Sequence, residues 1–143
     1  MKDLIRLKLK QGKYIELEEI CEEIDAEELQ NLMLELAYEM ESINVYGFVR
    51  YMIEKERKES WIRLAINIML NPLCFIEGAY SIGLFHAREL LAIDRNVENL
   101  ERLLFFYNIP EKLIDYKEAS SIAEELLLME SDNEVALELL DFK

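Results

Sequence analysis

Tyr80–Asp94 reads YSIGLFHARELLAID, and Tyr116–Glu130 reads YKEASSIAEELLLME. Laid one over the other, Tyr80, Gly83, Ala87, Leu90 and Leu91 fall on Tyr116, Ala119, Ala123, Leu126 and Leu127, each thirty-six positions on. The correspondence continues, because Ile93-Asp94 meets Met129-Glu130, Glu98 meets Glu134 and Leu103-Leu104 meets Leu139-Leu140. An internal repeat of this size is the signature of stacked helical hairpins, since one hairpin cannot bury its apolar face alone. Gly83, Ala87 and Ala123 are small residues at positions where a neighbouring helix can come close.

Working outward, the spacing predicts a helix in each copy and helices on either side. Trp61, Leu64, Ala65, Ile68 and Met69 form the inner face of a helix that Asn71-Pro72 stops, because the residue before a proline is pushed out of helical geometry. Leu73–Gly78 is then an apolar loop, which either packs back onto the hairpin or offers a patch. Val97–Tyr107 is stopped by Pro110, and Asn133–Leu140 closes the chain. Upstream, a short helix within Met1–Lys13 ends at Gly12, and Tyr14–Ile24 fits a second with Leu17, Ile20, Cys21 and Ile24 on one face. Asp25 caps Ala26–Glu41, with Glu28 three positions on and Leu29, Leu32, Met33, Leu36, Ala37 and Met40 as its stripe. Ser42 or Asn44 starts a further helix through Ile53, in which Gly47 marks close packing. The fold expected is all-α, a single domain over 1–143 with N-terminal acidic helices at 1–56 and hairpins at 57–142.

Only four glycines and two prolines, against 52% hydrophobic residues, leave too few turn formers for an all-β chain. The net charge is −14, a field that repels nucleic acid and attracts a basic partner. No apolar run approaches the roughly eighteen residues a membrane span requires. The opening MKDLIRLKLK shows no secretory leader, so a cytoplasmic protein is expected, with Cys21 and Cys74 as free, buried, slowly reacting thiols.

The inventory of side chains argues against catalysis. The single histidine, His86, falls where the other copy has Ile122, which points to packing rather than proton transfer. One histidine and two separated cysteines supply no metal site, and there is no P-loop, G-x-G-x-x-G or G-x-S-x-G. No cofactor, catalytic or metal-ligating residue is assigned.

The most uneven feature is charge. From Tyr14 to Val49 the chain carries eleven acidic residues and no Lys or Arg. A solvated face explains the pattern but leaves the missing cations unexplained, because an exposed helix gains from interspersed Glu/Lys pairs. The apolar stripes leave Glu16, Glu19, Glu23, Glu27, Glu35 and Glu39 toward water as a partner-binding face. Aromatic anchors would complete it, with Tyr46 and Phe106 chosen from Tyr46, Phe48 and Tyr51 and from Phe105, Phe106 and Tyr107. Three consecutive aromatics on a helix cannot all face inward.

Trp61-x2-Leu64-Ala65, Tyr80-x2-Gly83 and Tyr116-x2-Ala119 resemble the tetratricopeptide repeat, whose period is about 34 residues. LLAIDRN and LLLMESDN are similar to its helix exit, with Arg95 and Ser131 where the family has proline. Over 61–140 the chain is also similar to small tetratricopeptide-like immunity proteins of bacterial toxin systems. That resemblance implies a non-enzymatic antitoxin that binds and covers a basic toxin domain, often a nuclease. Two other functions remain open: an adaptor or chaperone holding a peptide in a groove bearing Arg63, Asn67, Asn99 and Arg102, and an acidic mimic of nucleic acid.

Overall fold

The computed structural model describes residues 1–140, and among these it is all-helical, with nine helices and no strand. The last two positions of the 57–142 array lie outside the described residues. The helices are α1 (Lys2–Gln11), α2 (Tyr14–Cys21), α3 (Ala26–Met40), α4 (Ile43–Glu56), α5 (Glu59–Leu70), α6 (Ala79–Ile93), α7 (Val97–Asn108), α8 (Tyr116–Met129) and α9 (Glu134–Leu140). The chain divides into two compact units, Met1–His86 and Ala87–Lys143, with the division inside α6. Among the described residues no helix is long and apolar enough to cross a membrane.

In the first unit α4 is the hub, packing against α1, α2, α3 and α5. Its buried side chains, Val45, Phe48, Val49, Met52 and Ile53, cover more than one stripe, which a helix with neighbours on several sides requires. Trp61 sits edge-on to Phe48 at 6.0 Å, and α5 also packs on α3, so the Trp61 helix belongs with the N-terminal helices. The division into compact units falls inside α6, whereas the repeat resemblance starts at 57.

Gly47 does mark a close approach. The Tyr14 hydroxyl crowds the place where a β-carbon on residue 47 would stand, and it donates to the Asn44 carbonyl at 2.9 Å. Asn44 in turn donates from Nδ2 to the Leu9 and Lys10 carbonyls at 3.0 and 3.3 Å, satisfying the end of α1. Gly12, at φ 68°, supplies the left-handed residue that ends α1. Helix α2 stops at Cys21 rather than Ile24, and residues 22–25 form the turn into α3. Asp25 caps that helix, accepting from the Glu28 N–H at 3.3 Å, and Ser42 caps α4.

In the second unit α8 packs against α7 and α9. The exits of the repeat are built alike: the Asn96 side chain accepts from the Asn99 N–H at 2.8 Å, and the Asn133 side chain from the Ala136 N–H at 2.9 Å. These capping asparagines stand one residue further apart than the period of the helices before them. The repeat thus slips by one step at its second exit. Ala87 and Ala123 are both buried, at 1% and 0% exposure.

Candidate functional site

The acidic run is held on α2, the turn at 22–25 and α3. Helix α2 is seated on α4 by aromatic packing, with the Tyr14 ring 5.8 Å from Phe48 and 5.9 Å from Tyr51. Leu17 and Cys21 point into the core, and Leu29, Met33, Leu36 and Ala37 bury the inner face of α3. Glu16, Glu19, Glu23, Glu27, Glu35 and Glu39 are all exposed.

Exposure does not make these carboxylates equivalent. Lys2 Nζ lies 2.6 Å from Glu35 and 2.8 Å from Glu39, Arg6 reaches Glu39 at 2.7 Å, and Lys8 reaches Glu16 at 2.7 Å. Helix α1 thus supplies cations that are absent between Tyr14 and Val49. Hydrogen bonds from Lys2 and Arg6 hold Glu39 below its ordinary range, and Lys8 does the same for Glu16. Glu18 is drawn in by the Tyr51 hydroxyl at 2.8 Å and Lys55 at 3.1 Å, which lower its pKa in that order.

Glu19, Glu22, Glu23, Glu27 and Glu28 have no such compensation. All five are exposed, and no ion pair reaches any of them among the described residues. Glu27 and Glu28 occupy the first turn of α3, where negative charge is favoured by the helix dipole. Glu19, Glu22 and Glu23 do the opposite. They crowd the C-terminal end of α2, which has no basic residue in its last turn, at a pole where each negative charge costs roughly 0.3–1 kcal/mol. This charge is held against the stability of the fold.

The aromatic anchors need correction. Phe106 is fully buried, so it presents nothing to a partner, and the surface ring of that run is Phe105 at 39% exposure. Tyr46 is half-buried with its hydroxyl 2.7 Å from His86 Nε2, and His86 is itself wholly buried, in line with a packing role. The ring exposed beside His86 is Phe85, which Arg50 covers at 5.9 Å from the centroid. Successive helical residues are turned by about 100°, which explains why choosing the neighbour reverses the side.

Cys74 is exposed, not buried. The segment between α5 and α6 does both things its apolar content allowed: Leu73 turns inward at 0% exposure while Phe75 stands out at 60%, and Cys74 goes with Phe75. Cys21 is buried, and burial pushes its thiol up to about 11. Of the polar residues that a peptide groove would use, Asn99 is buried with its amide on the Asp94 carbonyl, and its oxygen accepts from Arg102 at 2.7 Å. Both are committed within the chain. Among the described residues no group of three or more His, Cys, Asp and Glu side chains is placed to hold a metal ion.

Comparison with models of protein families, with curated proteins and with solved structures returns no match.

Proposed function

We propose that this chain is a non-enzymatic protein-binding module whose α2–α3 surface engages a basic partner. The observation that carries the proposal is the trio Glu19, Glu22 and Glu23, exposed, without ion pairs among the described residues and gathered at the wrong pole of α2. Surface charge that costs stability and has no internal use is a signature of an interaction site, because binding then supplies the missing cations. The resemblance to immunity proteins narrows the partner to a toxin domain of basic character, such as a nuclease, with a tetratricopeptide-like array as the scaffold.

The test is kinetic and biological together. Association with the purified partner should be fast at low salt and slow steeply as salt is added, because opposite fields steer encounter. Expressed alone, the partner should arrest growth, and co-expression of this chain should restore it. A partner that is harmless without the chain would remove the antitoxin reading and leave only the binding one.

A further inference from the structure

Beside the start of α1, a cleft of about 520 Å³ opens between that helix, the 22–25 turn and α3. Ile24 and Leu32, both half-buried, line it together with the carboxylates of Asp25, Glu27, Glu28 and Glu35. Its volume falls within the range of about 300–1,000 Å³ typical of ligand pockets. Apolar walls and a charged rim match the two halves of one kind of side chain: lysine and arginine lay an aliphatic stem along apolar surface and keep the cationic head at its edge.

Resting on the proposal above that the partner is a basic protein, we propose that this cleft receives a long basic side chain projected by that partner, its stem on Ile24 and Leu32 and its head among Asp25, Glu27 and Glu28. The protein already contains one example of the contact. Lys2, at the end of the same cleft, places its Nζ 2.6 Å from Glu35 and 2.8 Å from Glu39. That satisfies Glu35, and among the described residues no ion pair reaches Asp25, Glu27 or Glu28, although Met1 also lines the cleft, so the cleft takes one cation from within and retains carboxylates for a second. Glu19 and Glu23 lie outside the cleft and contribute field, whereas the cleft contributes an anchor.

The experiment is an amide chemical-shift titration of the full chain, at low salt, with a synthetic peptide alternating arginine and leucine. Saturable shifts at Ile24, Asn31 and Leu32 are expected, with affinity about tenfold lower in Leu32→Gln and in the Glu27→Gln/Glu28→Gln double variant, a loss of about 1.4 kcal/mol. The double variant keeps the test open should Leu32→Gln fail to fold. Glu19→Gln/Glu23→Gln should weaken binding less and leave the same residues shifting. Binding indifferent to the cleft variants yet lost in Glu19→Gln/Glu23→Gln would overturn the cleft while leaving the acidic surface as the docking face. Absence of saturable shifts, or saturation by calcium ion at the same sites and concentration, would overturn it as well.

Discussion

The two units answer their excess of carboxylates in different ways. In the second, Arg88 holds Glu118 by a two-pronged contact, the longer prong 2.9 Å, and Arg95 holds Glu125 likewise at 2.6 and 2.7 Å. The first pair links α6 to α8 and the second ties the segment just past the end of α6 to the same helix, where Glu118 and Glu125 stand seven residues, two turns, apart on one face. In the first unit α1 and Lys55 neutralise Glu16, Glu18, Glu35 and Glu39, but Glu19, Glu22 and Glu23 are left bare. Net charge alone would rank these regions together. What separates them is where the cations stand in space: Glu39 at the end of α3 has Lys2 and Arg6 beside it, whereas no ion pair reaches the group at the end of α2 among the described residues.

The largest effect expected concerns the correction to the aromatic run. Phe106→Ala should destabilise the protein by about 3–5 kcal/mol, because a fully buried ring leaves a cavity, while Phe105→Ala should cost well under half of that. Denaturant midpoints of the two variants give the comparison directly; equal losses would mean that both rings are core. Gly47→Ala comes next. Helix propensity favours alanine by roughly 1 kcal/mol, but a β-carbon there would collide with Tyr14, so a net loss of about 1–2 kcal/mol is expected in thermal unfolding.

The paired carboxylates of the second unit give a smaller, pH-dependent effect. Arg88 lowers the pKa of Glu118, and Arg95 that of Glu125. A depressed carboxylate contributes stability that is complete above its unfolded value, near 4.5, and is lost as pH falls through the folded one. Glu118→Gln and Glu125→Gln should therefore each cost about 0.3–1 kcal/mol at neutral pH, a screened surface contribution, and nothing in strong acid. A deficit that persists at low pH would mean that the glutamines disturb packing instead. Thiol labelling reads the fold without a substitution: Cys74 should react promptly and Cys21 only slowly, since one is exposed and the other is buried with a raised pKa.

Much of the fold was legible because the helix signals are local. The Asp25 and Ser42 caps, the Gly12 and Pro72 stops and the stripe on α3 all depend on residues within one or two turns. The paired carboxylates were hidden for the opposite reason. Lys2 stands thirty-three residues from Glu35 and Arg6 the same distance from Glu39, so the missing cations of the acidic run could be found only once α1 was placed. Phe106 shows a further limit. That one ring of Phe105-Phe106-Tyr107 must face outward follows from the helix period, but which one depends on what packs against α7. Placement also changes the choice of test residues: reversing Glu35 or Glu39 to lysine would set like charge against Lys2 and Arg6, so a clean probe of the acidic surface must spare them.

The central claim is that Glu19, Glu22 and Glu23 are kept for a basic partner at the expense of α2. The measurement that tests it most directly is quantitative affinity capture from the native cell, using the wild-type chain and a Glu19→Lys/Glu22→Lys/Glu23→Lys variant. The variant should be at least as stable, with its thermal midpoint raised by about 2–5 °C as the dipole and the mutual repulsion are relieved. The wild type should retain an equimolar basic protein at low salt, and the more stable variant should lose it. An equimolar partner held equally by both chains would contradict the account.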